Sequence, residues 1–210
     1  MPFITLVMYL FLWKAVQKKE GIIFIYCLVN TLLFSFSDAL SLQRLNNLPF
    51  YHISSLLELW IVSYYLLKII TGKNWSYIFW VVNIAYLCFF IFNVTFLEKW
   101  TVFNSNTAVT TSLIILFLSM YYLLKLSKSD EILYFQKLPS FWFASAFLIY
   151  NAVSILVLLS YKYFLNEKMF GQGNSLWFVL SVANIVKFAL ISTGLLCHRK
   201  RPAIHSLFLL

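Results

Sequence analysis

A chain of 210 residues that is 62% hydrophobic, 20% aromatic and 11% charged, with a mean hydropathy of +0.83, does not have the composition of a water-soluble domain, where about half the residues are apolar and about a quarter charged. Five glycines and four prolines exclude a loop-rich or disordered chain. No polar tract is long enough for a separate soluble domain, so residues 1–210 read as one all-α membrane domain. The net charge of +9 hints at nucleic acid, but in a polytopic protein the basic residues first report which loops face the cytoplasm.

Apolar runs bounded by charged or turn-forming residues mark seven spans, most near the ~20 residues that cross a hydrocarbon core. Pro2–Trp13 is short, begins at the initiator methionine and lacks a basic n-region. It reads as a short or tilted first helix rather than a cleaved leader, with an interfacial helix as the alternative. Gly21–Ala39, Pro49–Ile70, Trp75–Leu97, Thr107–Leu126, Pro139–Phe164 and Ser175–Cys197 follow, and a basic cytoplasmic tail covers 198–210. The longest connections are Ser127–Leu138 and Asn166–Asn174, so the spans read as mostly antiparallel neighbours. Trp75, Trp100, Trp142 and Trp177 fall near span ends, where an indole keeps its ring in apolar surroundings and its N–H in the wet headgroup layer. Cys27, Cys88 and Cys197 sit in or at the end of apolar runs without metal or redox spacing and read as free, buried thiols.

The basic residues sort by loop. Eleven lie after spans 1, 3 and 5 and in the tail (Lys14, Lys18, Lys19, Lys68, Lys73, Lys125, Lys128, Lys137, Arg199, Lys200, Arg201), against four in the opposite loops (Arg44, Lys99, Lys162, Lys168). This asymmetry predicts an external N-terminus and a cytoplasmic C-terminus. The other six spans keep that orientation even where span 1 does not cross.

Lys187 is the one basic residue that topology leaves unexplained, because a charge at membrane depth is costly unless paired or wet. Glu58 lies at similar depth in span 3, which predicts a Glu58–Lys187 ion pair. Polar side chains recur at helical spacing around it. Span 7 offers Trp177, Ser181, Asn184 and Lys187, and span 3 offers His52, Ser55 and Glu58. Span 2 offers Cys27, Thr31, Ser35 and Asp38, and span 6 offers Asn151 and Ser154. Lipid cannot satisfy these groups, so they face the bundle interior. The candidate polar cluster is therefore Asp38, His52, Ser55, Glu58, Asn151, Asn184 and Lys187. It reads either as a hydrogen-bonded interior, as a ligand cavity open to the outside, or as a proton path.

No set of histidines at depth can build a three-ligand zinc site or a bis-histidine haem site, and no Gly-x-Ser-x-Gly elbow is present. Asp38, His52 and Glu58 could act as acid–base groups, yet nothing in their spacing indicates catalysis. A mid-membrane lysine opposite a carboxylate also matches the plan of a retinal protein. Span 6 lacks the proline and tryptophan pattern of such proteins, and a buried lysine needs a carboxylate for solvation alone. Retinal on Lys187 is thus the minor alternative to a chain without a cofactor.

Phe36-Ser37-Asp38-Ala39-Leu40-Ser41, His52-x5-Glu58, Asn104-Ser105-Asn106-Thr107, Leu138-Pro139-Ser140-Phe141-Trp142, Leu176-Trp177 and Asn184-Ile185-Val186-Lys187 together resemble a bacterial family of small uncharacterised seven-helix integral membrane proteins. The resemblance covers nearly the whole chain apart from the shortened first span. It implies a seven-helix fold in the inner membrane; it implies no substrate, and although some members are suspected of serving sensory systems, it assigns no task to Asp38, His52, Glu58 and Lys187, the positions that match its polar pattern. The combined expectation is a receptor-like or sensory seven-helix protein that binds a small molecule or lipid in a polar cavity and contacts a signalling partner through its cytoplasmic loops. A proton-linked transporter or channel component and a lipid-acting intramembrane enzyme are the rivals. Nucleic acid is not expected as a partner.

Overall fold

The computed structural model describes residues 2–12, 21–166 and 170–199. Among them the chain forms seven α-helices and no strand: α1 (Pro2–Leu12), α2 (Gly21–Leu42), α3 (Leu48–Thr71), α4 (Trp75–Phe92), α5 (Ser105–Ser127), α6 (Pro139–Asn166) and α7 (Phe170–Arg199). Six of them, α2 to α7, are long and apolar enough to cross a membrane. Their outward faces carry large apolar side chains such as Trp80, Ile84, Phe92, Phe117, Leu156 and Phe178. A surface of that kind needs lipid rather than water against it.

Helix α1 is 11 residues long, about 16 Å at 1.5 Å per residue, or roughly half the hydrocarbon thickness. Residues 13–20, with Lys14, Lys18 and Lys19 of the charge count, lie outside the described residues, as do Lys168 and residues 200–210 of the basic tail. Helix α1 is nonetheless packed into the bundle. Tyr9 is fully buried against Phe24 at 4.9 Å between ring centroids. The Thr5 hydroxyl donates to the Phe188 carbonyl at 3.4 Å and lies 3.1 Å from the Ser192 hydroxyl.

Packing follows the order α1–α2–α3–α5–α6–α7 and returns from α7 to α1, with α4 outside this circuit against α3. The expectation that sequence neighbours pack side by side therefore fails at α4 and α5. Between them runs an apolar groove of about 760 Å³ lined by residues such as Val81, Phe89, Ile114, Phe117 and Met120. The two helices are tied mainly at one end, where α4 runs on as a π-helical turn (Asn93–Leu97) into a short loop.

Local chemistry sets the helix ends. Pro49 and Pro139 occupy first-turn positions of α3 and α6, where a missing N–H and a fixed φ do no harm. Gly72 ends α3 at φ +60°, a left-handed conformation that an L side chain resists. The Lys125 ammonium donates to the Ile70 carbonyl at 2.5 Å, satisfying a free carbonyl of that last turn. Two expected loops are more ordered than their composition suggests. Asp130–Lys137 forms 3-10 turns under the bundle, held where the Trp142 indole donates to the Gln136 carbonyl at 2.9 Å. Helix α7 begins at Phe170, ahead of the expected Ser175 and through Gly171-Gln172-Gly173.

The half of the bundle nearest the α3–α4 and α5–α6 connections is tightly packed. Leu59, Leu66, Phe143, Phe147, Phe188, Ile191 and Leu195 are all buried there. Helices α6 and α7 approach closely because position 194 has no side chain: a Cβ at Gly194 would sit 2.6 Å from the Phe143 ring and 3.1 Å from Trp142 Cβ. Small residues at such crossings are how membrane helices gain contact. Overpacking of this kind costs about 1–3 kcal/mol, so Gly194→Ala should lower the melting temperature in detergent. Gly21→Ala, where the nearest atom is an ordinary 3.8 Å away, should leave it close to the parent. Equal melting points for the two variants would contradict the close-packed crossing.

Candidate functional site

Five helices, α2, α3, α5, α6 and α7, turn polar side chains into one cavity of about 220 Å³. It lies toward the end of the bundle that carries the α2–α3, α4–α5 and α6–α7 connections. On α3 the cavity face is Tyr51, Ser55 and Glu58; on α7 it is Trp177, Ser181, Asn184 and Lys187. These steps of three and four residues place each set on one helix face. Helices α2, α5 and α6 add Asn30, Thr111 and Tyr150, among others.

Glu58 and Lys187 form the floor. Lys187 Nζ lies 3.7 Å from Glu58 Oε1, an ion pair longer than a hydrogen bond. The same oxygen accepts the Tyr26 hydroxyl at 2.8 Å. The Lys187 ammonium also faces the Tyr150 ring at 3.6 Å from its centroid, with the rings of Phe188 and Tyr26 at 5.0 and 5.5 Å. Such cation–π contact adds to the stabilisation of a desolvated cation. The two partners are buried unequally: the Lys187 side chain is 1% exposed and that of Glu58 15%. The carboxylate looks into the cavity and the lysine lies behind it.

The mouth is aromatic. Phe103, Tyr161 and Trp177 meet edge to face at 4.8, 5.9 and 5.1 Å between centroids. Trp177, expected as an interface anchor, thus lines the cavity as well. Asn104 fixes the loop above α3, donating from Nδ2 to the Tyr51 carbonyl at 2.9 Å and to Ser55 Oγ at 3.0 Å. The Thr111 hydroxyl donates to the Tyr86 oxygen at 2.7 Å and lies 3.3 Å from the Ser55 carbonyl, tying α5 to α4 and α3.

Of the seven predicted cluster residues, Ser55, Glu58, Asn184 and Lys187 line this cavity and three do not. His52 is fully buried, but its Nε2–H donates to the Val102 carbonyl at 3.1 Å and its ring packs on Trp100 at 5.5 Å. It pins the α4–α5 loop to α3. Asn151 is buried in α6 and donates to the Phe147 carbonyl of its own helix at 2.8 Å. Asp38 is exposed near the end of α2. Of the predicted stripe Cys27, Thr31, Ser35, Asp38, only the first is buried. The buried face of α2 is Ile23, Tyr26, Cys27, Asn30 and Ser37, so Cys27 of the stripe is placed correctly, whereas Thr31 is half-buried and donates to the Cys27 carbonyl at 2.7 Å and Ser35 is exposed.

A second polar centre was not expected at all. Glu98, buried at the loop after α4, accepts the Asn106 backbone N–H at 2.9 and 3.1 Å, the Ser105 hydroxyl, and Asn93 Nδ2 at 3.2 Å. Lys162 of α6 lies 3.4 Å from the same carboxylate and donates to Asn106 Oδ1 at 2.7 Å. A carboxylate on the first N–H groups of a helix satisfies otherwise free donors and complements the helix dipole. Glu98 is thus the cap that begins α5 and holds α4, α5 and α6 together. An acidic residue just past an apolar span and upstream of Asn104-Ser105-Asn106-Thr107 is the sequence signal for it.

Six apolar helices with a polar cavity among them mark a multi-pass helical membrane protein. No known protein family, curated protein or solved structure matches the chain.

The unequal burial of the ion pair predicts unequal mutants. Removing one partner of a buried pair costs about 3–5 kcal/mol, and Glu58→Gln should approach that range because Lys187 is left desolvated. Lys187→Met should cost less, since Glu58 keeps the Tyr26 hydroxyl and access to the cavity. The double variant should recover much of the Glu58→Gln loss in thermal unfolding of detergent-purified protein. Two single variants as stable as the parent would show that the charges are not coupled.

Proposed function

We propose that this chain is a receptor-like seven-helix protein of the bacterial inner membrane. It binds a small molecule in the cavity above Glu58 and Lys187 and passes occupancy to a partner at the cytoplasmic loops. The observation that carries the reading is a polar cavity among the described residues, floored by an ion pair and underlain by a packed aromatic and aliphatic core. Deep, mostly preformed cavities with a few convergent polar groups are what small-ligand sites require. Among the described residues the cavity end carries Arg44, Lys99 and Lys162, and the opposite end carries Lys68, Lys73, Lys125, Lys128, Lys137 and Arg199. By the positive-inside rule the cavity faces outward and the C-terminus lies in the cytoplasm. Helix α1 is read as the short first crossing, packed on α2 and α7.

The rivals have less support. A proton-linked transporter or channel needs polar groups continuing below Glu58, where Leu59, Leu66, Phe143 and Ile191 are fully buried against one another. A lipid-acting enzyme built on Asp38, His52 and Glu58 needs those three to converge, and only Glu58 reaches the cavity.

The reading is tested by thiol accessibility in a background with Cys88 and Cys197 replaced by serine; Cys27 is fully buried and stays silent. In spheroplasts, Ser181→Cys at the cavity should react with a membrane-impermeant methanethiosulfonate added outside, while Ile191→Cys should be protected from both faces. Labelling of Ile191→Cys would favour a through-path, and labelling of Ser181→Cys from the cytoplasmic side alone would reverse the orientation.

A further inference from the structure

We propose that the ligand is a small organic amine, its ammonium seated on Glu58 and its apolar body held by the aromatic rim; this rests on reading the cavity as a ligand site. The first reason is which charge the cavity presents. Glu58 is the partner with exposed surface, and Lys187 is screened behind it under the Tyr150 ring. An anion entering from the mouth meets the carboxylate first and is repelled, whereas a cation is attracted.

The second reason is hydrogen-bond capacity. Glu58 Oε1 already serves Tyr26 and Lys187, while Oε2 has no hydrogen-bond partner among the described residues. The side-chain oxygen of Asn184, one turn above Lys187 on α7, is buried in the same cavity wall and also lacks a partner. Glu58 Oε2 is thus open to the cavity, and Asn184 Oδ1 is a buried acceptor without a donor, which is unfavourable. An ammonium brings three N–H donors and no acceptor. A carboxylate ligand would bring the wrong polarity to both atoms.

The third reason is shape. The cavity holds the volume of about seven waters, enough for a single ring and a short side arm. Above the floor, Tyr51 and the Phe103–Tyr161–Trp177 cluster offer ring faces and edges. Aromatic faces favour both an aryl body and a passing cation. The bound ammonium takes Oε2 and the Asn184 oxygen, so the Lys187 contact with Oε1 is retained.

Three matched probes decide the matter: 2-phenylethylamine, 2-phenylethanol and phenylacetate, titrated against the full-length protein in nanodiscs by calorimetry. The amine should bind about tenfold or more tighter than the alcohol, as expected for one charge-assisted hydrogen bond, and phenylacetate should bind weakest. The Glu58→Gln/Lys187→Met double variant, which removes both charges, should lose that preference for the amine over the alcohol. Asn184→Leu should weaken the amine more than the alcohol. An amine that binds the double variant as tightly as the parent overturns the seat on Glu58. Tighter binding of phenylacetate or the alcohol than of the amine overturns the ligand class and leaves the cavity reading standing. No binding by any of the three overturns both.

Discussion

The structure depends on where a single ion pair is placed. Lys187 of α7 is enclosed by side chains of α2, α3 and α6, and among the described residues its ammonium has one carboxylate within reach, at 3.7 Å. In a bilayer an ionised lysine without such a partner is disfavoured by several kcal/mol. The pair therefore fixes the rotation of α3 against α7, two helices that are not sequence neighbours. Tyr26 brings α2 to the same oxygen, and Tyr150 brings α6 to the same ammonium. Four helices are thereby set in register by two charges.

The pair also divides the molecule. Toward one end, Ser, Thr and Asn side chains of α3, α5 and α7 such as Ser55, Thr111 and Asn184 line a cavity. Toward the other, rings and aliphatic side chains close the bundle, and Gly194 lets α6 and α7 touch. Rigidity at the open end comes from hydrogen bonds instead of packing: Glu98 caps α5, Lys162 ties that cap to α6, and His52 and Asn104 hold the α4–α5 loop on α3. An open cavity with a fixed rim can receive a ligand without first being ordered, which lowers the entropic cost of binding.

Much of this is legible in the sequence because lipid imposes a simple rule. All seven apolar runs coincide with helices to within five residues, and six of those helices are long enough to cross, since only long apolar helices satisfy their own backbone in hydrocarbon. Glu58 and Lys187 stand out for the same reason. What misled was treating every hydroxyl as a mark of the inward face. Thr31 and Ser181 return their hydrogen to the carbonyl one turn back, so a serine or threonine can face any direction at little cost. That is why, of the α2 stripe, only Cys27 is buried, and the spacing draws in the exposed Asp38. Tyrosine hides the opposite way: Tyr26 and Tyr150 count as apolar bulk in a hydropathy reading, yet they supply a hydroxyl and a ring face to the two central charges. For Glu98 the sequence offers only an acidic residue just past an apolar span; its partners Ser105, Asn106 and Lys162 are brought to it by a loop and a neighbouring helix, which span-by-span periodicity does not reveal.

The account's central claim is that Glu58 and Lys187 meet at the bottom of an open polar cavity. An experimental density map of the full chain in lipid nanodiscs, at a resolution that places side chains, tests it most directly. The claim predicts the Glu58 carboxylate within hydrogen-bond or ion-pair reach of both Tyr26 and Lys187, with water or ligand density between that carboxylate and the Phe103–Trp177 rim. A Lys187 side chain extended away from Glu58, or a dry, collapsed interior above the carboxylate, would contradict it.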